Sequence, residues 1–231
     1  MRVALFDIDG TILLAHGAGS RAMQRALREL TGTAGPGGLH YAGKTDGQIV
    51  REAMRGSGFT DAEVDAALPA ILDRYLVHLD RELDGEADEP PEILPGVRDL
   101  LAACHAHDEV VLGLLTGNLS RGAERKLRAV GLDPALFVIG AFGSDHEHRP
   151  ALAALARERA TALLGREVDA ASCVVIGDTP ADVACAHAIG ARAIGVATGN
   201  FSREALRACG AHIVFDHLGD TAAAMDAILR G

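Results

Sequence analysis

Val3-Ala4-Leu5-Phe6-Asp7-Ile8-Asp9-Gly10-Thr11 is the stretch that decides the fold. Residues 3–8 are apolar apart from Asp7, as expected of a strand buried on both faces of a sheet. Asp7 and Asp9 stand two apart where that strand ends, so their carboxylates point to the same side. In an open parallel sheet, ligands bind outside the carboxyl ends of the strands, beside the switch point. Two acids buried there cannot both ionise cheaply, and a divalent cation removes the conflict. Gly10 then allows a tight exit of the backbone. Acids that merely cap a turn are the plainer reading, but the hexapeptide from Phe6 to Thr11 is more restrictive than a pair of acids.

Working outward, short apolar runs recur at residues 110–115, 137–141, 173–176, 193–196 and 213–215. Helical stripes separate most of them. Val97, Leu100, Leu101 and Cys104 form one, and Ala123, Leu127 and Val130 form another, closed by Gly131. Alternating strands and helices predict an α/β fold with a doubly wound parallel sheet. Residues 15–87 break the alternation with helices and no strand. Ser20 is expected to cap a helix bearing Ala22, Met23, Ala26, Leu27 and Leu30. Thr45 with Gln48 and Thr60 with Glu63 read as capping boxes. Pro69 is expected to kink or divide the helix after Thr60, and the acidic piece 84–91 reads as a linker. The domain expectation is a catalytic core of residues 1–14 and 88–231, with a helical cap of residues 15–87.

Composition narrows the function. The 231 residues are 48% hydrophobic and only 3% aromatic, so the core is aliphatic. A formal net charge of −10 argues against nucleic acid and anionic membrane surfaces as partners. No apolar run approaches the roughly 20 residues of a membrane span, and the N-terminal residues lack the basic region and cleavage site of a signal peptide. A cytoplasmic setting is the expectation. Cys104, Cys173, Cys185 and Cys209 are widely spaced, and the last three have the apolar or small neighbours of buried free thiols. Of 22 basic residues only Lys44 and Lys126 are lysines.

Three more strand tips carry chemistry. At Thr116-Gly117-Asn118, a hydroxyl and an accessible backbone N–H suit a phosphate oxygen, although Thr-Gly-Asn is also an ordinary turn. Ser120 is placed to cap the helix that follows. Arg149-Pro150 opens another helix, and a guanidinium there can hold phosphate in two-pronged fashion. In Gly177-Asp178-Thr179-Pro180-Ala181-Asp182, Asp178 stands at a strand tip and Asp182 about one turn into a helix, where a helix-start charge is its plainer role. Hard oxygen ligands gathered at strand tips suit Mg²⁺. His146 and His148 read as part of a polar loop rather than a metal site.

Together these motifs resemble the haloacid dehalogenase superfamily, over essentially the whole chain and nearest in kind to its phosphoglycolate-phosphatase-type members. Asp7-Ile8-Asp9-Gly10-Thr11 is similar to the first motif, Thr116 to the second, Arg149 to the third and Gly177 to Asp182 to the fourth. The helical insertion resembles the cap between the first and second motifs. The third motif is more often Lys. Lys126 competes for that place but comes too early in the chain.

The resemblance implies a small phosphorylated substrate and an aspartyl-phosphate formed on Asp7. It implies Mg²⁺ held by Asp7, the backbone carbonyl of Asp9 and Asp178. Asp9 would be the acid and base, with a pKa raised by its surroundings. Thr116, Gly117, Asn118 and Arg149 would hold phosphate oxygens, with Thr11 and Asp182 in support. Apart from the resemblance, Lys44 stands in the cap between a Gly-rich loop and a helix start, where it is a candidate to meet a second anionic group on the substrate, although a surface lysine at a helix start is its plainer role. A phosphosugar mutase and a phosphonate-cleaving enzyme are the alternatives within the superfamily. A non-catalytic binding protein is the alternative outside it. True dehalogenases lack the second acid of the first motif, which Asp9 supplies here.

Overall fold

The computed structural model describes residues 1–86 and 89–230. Its strands are β1 (Arg2–Phe6), β2 (Leu13–Leu14), β3 (Glu92–Ile93), β4 (Val110–Thr116), β5 (Ile139–Phe142), β6 (Cys173–Gly177), β7 (Arg192–Val196) and β8 (Ile213–Phe215). Its α-helices are α1 (Ala18–Thr31), α2 (Asp46–Gly56), α3 (Asp61–Arg81), α4 (Val97–Ala106), α5 (Ser120–Ala129), α6 (Arg149–Leu164), α7 (Pro180–Ala188), α8 (Arg203–Ala208) and α9 (Thr221–Leu229).

Six strands form one sheet in the order β5-β4-β1-β6-β7-β8, every neighbouring pair parallel. The chain leaves β1 for β4 and β5 on one side, then returns to β6 on the other, so the switch point lies at β1. Phe6 stands opposite Leu114 of β4 and Ile176 of β6. That register brings Asp7, Thr116 and Asp178 out along one edge of the sheet.

The predicted α/β class is the observed one, for the reason the apolar runs suggested. Along β1, Ala4 and Phe6 pack into one buried cluster with α4, α5 and the inserted helices, while Val3 and Leu5 pack into a second with α6 and α7. A strand that feeds two cores needs apolar residues on both faces.

Helices α1, α2 and α3 all lie between β2 and β3, which pair antiparallel through Leu13–Ile93 and Leu14–Glu92. This two-stranded ribbon was too short to read from periodicity. Residues 87 and 88, where the expected domain boundary falls, lie outside the described residues. A π-type turn, Glu82–Glu86, precedes them where a linker was expected.

Local differences have local causes. Helix α1 begins at Ala18 behind a left-handed Gly17, and Ser20 sits inside it with its hydroxyl donating to the Gly17 carbonyl at 2.8 Å. Leu30 is exposed rather than on the buried stripe. Thr60 and Glu63 form the full reciprocal box, whereas Thr45 caps α2 alone because the Gln48 amide turns to Glu52. Helix α3 runs through Pro69 without ending. Cys209 is exposed, whereas Cys104, Cys173 and Cys185 are buried thiols. Among the described residues, no helix is long and apolar enough to cross a membrane.

Candidate active site

A cavity of about 340 Å³ opens at the sheet's carboxyl edge, between the strand tips and the inserted helices. Its walls include Asp7, Asp9, Thr116, Gly117, Asn118, Arg149 and Asp178 from the core, and Lys44, Asp46 and Tyr75 from the insertion. The sequence-predicted residues are thus brought to one place. Thr11 lies beneath, its hydroxyl donating to Asp178 at 3.3 Å. His146 and His148 are exposed and outside this group.

Asp7, Asp178 and Asp182 are all buried, and each offers a carboxylate oxygen within 4.8 Å of the others. Arg149, the first residue of α6, reaches into them. One of its Nη atoms lies 3.1 Å from Asp7 Oδ2 and 2.5 Å from Asp182 Oδ1. Its Nε is buried and has no hydrogen-bond partner among the described residues, which leaves a spare donor. Asp182 also caps α7, accepting from the Thr179 N–H and hydroxyl at 3.0 and 2.8 Å. The helix-start role and the acidic-cluster role therefore coexist in Asp182.

The electrostatics are those of a crowded anionic pocket. Burial pushes the Asp7 carboxyl up to about 6 against the opposing pull of Arg149. Asp178 is pushed up to about 9 by burial and by the charges of Asp182 and Asp7. With all three carboxyls ionised, the single guanidinium would leave two negative charges uncompensated, which a divalent cation would balance. All donors are hard oxygens, as Mg²⁺ prefers. The residues present therefore fit a bound divalent metal.

Asp9 differs from expectation. Its place in the cleft would raise its pKa, but the Lys126 ammonium and hydrogen bonds from Lys126 and Asn118 outweigh that and hold it low. In this state Asp9 is an ionised carboxylate, not a poised acid. Lys126, set aside in the sequence because it precedes Arg149, is the cause. It sits in the site, 2.6 Å from Asp9 Oδ2. A signal for it existed: Ala123, Lys126, Leu127 and Val130 share one helical stripe, and a lysine on an apolar stripe asks for a buried partner.

The insertion is docked onto these tips. The Asp46 N–H donates to the Gly117 carbonyl at 2.9 Å, and the Asp46 carboxylate accepts the Leu119 N–H at 2.8 Å. That second bond does for α5 what Ser120 was expected to do, since Leu119 is the cap residue and has no capping side chain. The Lys44 carbonyl approaches Gly117 so closely that a Cβ there would overlap it. The Lys44 ammonium lies at the cavity wall, ion-paired with Glu52.

Burial raises the pKa of Asp46 to about 6, more than Lys126 and the Leu119 N–H lower it. A carboxyl that holds its proton more tightly when folded loses stability as pH rises from about 4 to about 6. Asp46→Asn keeps the carbonyl acceptor and removes this cost. It is expected to flatten the fall in melting temperature over that window and to gain roughly 1–3 kcal/mol at pH 7.5. Thermal unfolding across pH checks it. A variant as pH-sensitive as the parent contradicts the assignment.

Buried acids at the switch point of a parallel sheet, with a guanidinium beside them, form a polar site at the strand tips, where ligands of open α/β sheets bind. Residues 4–187 match the haloacid dehalogenase-like hydrolases, and the chain belongs to that family. It is 31% identical to the phosphoglycolate phosphatase of Rhodospirillum rubrum over 230 residues, covering 95% of this chain and 90% of that protein. Its fold is similar to a hydrolase from Pseudomonas syringae, with a TM-score of 0.75, 21% identity and 99% of both chains covered. It is also similar in fold to CbbY from Rhodobacter sphaeroides in complex with phosphate, with a TM-score of 0.70, 19% identity and 98% and 99% of the two chains covered.

Proposed function

We propose that this hydrolase is a Mg²⁺-dependent phosphatase that cleaves a small phosphorylated metabolite through an aspartyl-phosphate on Asp7. The observation that carries this reading is a buried Asp7 at the tip of β1, paired with Arg149 at 3.1 Å in the wall of a cavity that Thr116 and Gly117 also line. Asp7 and Asp178 side chains, with the Asp9 carbonyl, would hold the cation, and Asp182 would orient its surroundings. When bound, Mg²⁺ neutralises charge on the phosphoryl oxygens.

The residues supply the rest. An Asp7 oxygen attacks phosphorus while the ester P–O bond breaks, leaving an acyl phosphate and an alcohol. Arg149, the Thr116 hydroxyl and the Gly117 N–H hold the phosphoryl oxygens. Asp9 hands a proton to the departing oxygen. The negative charge of an arriving phosphoryl group raises the pKa of Asp9 and lets it take that proton from solvent. Asp9 then removes a proton from the water that hydrolyses the acyl phosphate.

Residues 15–87 act as the cap, moving over a core of residues 1–14 and 88–231. The β2–β3 ribbon ties the two crossings together. His16, at a left-handed φ of 44°, reaches Glu89 at 3.0 Å and Glu92 at 3.4 Å beside that ribbon. A docked cap excludes water from the acyl phosphate.

A cavity of this size suits a short phosphorylated acid, and the likeness to a phosphoglycolate phosphatase makes that class the first to test. Lys44 at the wall would face the second anionic group, released from Glu52. Lys44→Ala is expected to raise KM for phosphorylated acids by about tenfold while leaving phosphorylated sugars within twofold. Equal kinetics across such a panel would remove Lys44 from specificity. Phosphate release is expected to vanish in EDTA and return with Mg²⁺. A chelator-insensitive enzyme would contradict the metal-dependent reading.

A further inference from the structure

We propose that Lys126 is a positioning residue for the phosphoryl chemistry, aiming the Asp9 carboxylate into the cavity by clamping both of its oxygens. The inference rests on the phosphatase reading given above. Lys126 Nζ lies 2.7 Å from Asp9 Oδ1, 2.6 Å from Asp9 Oδ2 and 2.7 Å from Asn118 Oδ1. An ammonium has three donors, and these contacts use them all. Asn118 Nδ2 donates in turn to Asp9 Oδ2 and to Thr116 Oγ1, each at 2.8 Å. Asp9 is therefore fixed by side chains of the β4–α5 segment, although its own backbone belongs to the exit of β1.

Two features separate this from a merely structural ion pair. The Lys126 residue is 3% exposed, whereas the Asp9 side chain keeps 44% of its surface open and lines the cavity. The pair thus holds one partner rigidly in the protein and presents the other to the site. In addition, Lys126 occupies an apolar helical stripe, where burying an ammonium is costly and a hydrophobic residue would serve the core at least as well. Aligning a carboxylate is a reason to keep it.

The insertion completes the enclosure. The Tyr75 hydroxyl of α3 hydrogen-bonds to the Asp46 carboxylate of α2, whose charge acts on Lys126. A Cβ on Gly19 of α1 would lie 3.5 Å from Lys126 Nζ and 3.7 Å from Tyr75 Oη. Alignment of Asp9 is thereby tied to docking of the inserted helices over the strand tips.

The test is leaving-group dependence in Lys126→Met, a neutral side chain of similar length. An alkyl phosphate needs a proton on its departing oxygen, while p-nitrophenolate leaves without one. With glycerol 3-phosphate as probe, kcat is expected to fall about 100-fold with KM within about threefold. With p-nitrophenyl phosphate, single-turnover release of p-nitrophenolate is expected to stay within about fivefold of wild type. Should the Met variant not fold, Lys126→Arg serves the same comparison. It keeps the charge but moves the donors, so the alkyl phosphate is expected to lose more than the aryl one. Equal losses on both probes, or no loss on the alkyl phosphate, would overturn the inference while leaving the phosphatase intact. If wild type is inert on glycerol 3-phosphate, a phosphorylated hydroxy acid that it turns over takes its place as the alkyl probe. A wild-type enzyme inert on phosphorylated acids as well as on both probes would remove the phosphatase reading, and this inference with it.

Discussion

Asp7→Asn is expected to lower kcat by at least about 10⁴-fold while the protein stays folded. An amide oxygen is a far weaker nucleophile than a carboxylate, and its acyl phosphate equivalent does not form. The side chain is nearly isosteric, so the packing at the tip of β1 is preserved. Removing its negative charge also relieves Asp178, whose pKa is raised to about 9 partly by Asp7. The variant should therefore unfold at a temperature no lower than the parent's. Circular dichroism on heating and phosphate release on a metabolite panel check the two halves. Substantial residual turnover would remove Asp7 as nucleophile.

The second large effect is expected at Arg149. Arg149→Met removes the cation that touches both Asp7 and Asp182, at 3.1 and 2.5 Å. In the active site this deletes a charged holder of the phosphoryl oxygens, and kcat/KM is expected to fall about 10³-fold. In the fold it leaves buried carboxylates uncompensated. Breaking a buried pair from one side typically costs about 3–5 kcal/mol. Part of that is recovered as the acids take up protons, so the loss is expected to be larger at pH 8 than at pH 5. Added Mg²⁺ should restore melting temperature more than activity. Arg149→Lys, which keeps the charge and offers three donors from one nitrogen but loses the planar fork, is expected to recover a good part of both. An Arg149→Met enzyme within tenfold of wild type would remove Arg149 from the phosphoryl site.

What could be read from the residues alone divides along physical lines. The central sheet was legible because strands buried on both faces need unbroken apolar runs, as residues 3–6 and 173–176 show. The strand-tip acids Asp7 and Asp178 were legible because they are polar residues where burial was already expected, and both are buried. The Asp9–Lys126 pair was not, since the two residues meet only through the angle at which α5 leaves β4. Chain order argued against Lys126, while its place on the stripe with Ala123 and Leu127 argued for a buried partner, and the second signal was the physical one. The expected upward shift of the Asp9 pKa failed for the same reason, because the neighbour that lowers it lies 117 positions away in sequence. Ser20 and Ser120 failed as caps because backbone geometry at Gly17 and the Asp46 side chain had already met those needs.

The covalent step is the centre of the account, and it can be observed. The enzyme would be mixed with Mg²⁺ and an excess of a phosphorylated substrate that it turns over. It would then be quenched in acid within milliseconds, digested, and analysed by peptide mass spectrometry. One added phosphoryl group on the peptide carrying Asp7, absent in Asp7→Asn, is the predicted result. Turnover without any phosphorylated peptide under single-turnover conditions, or a phosphoryl group on a different residue, would contradict it.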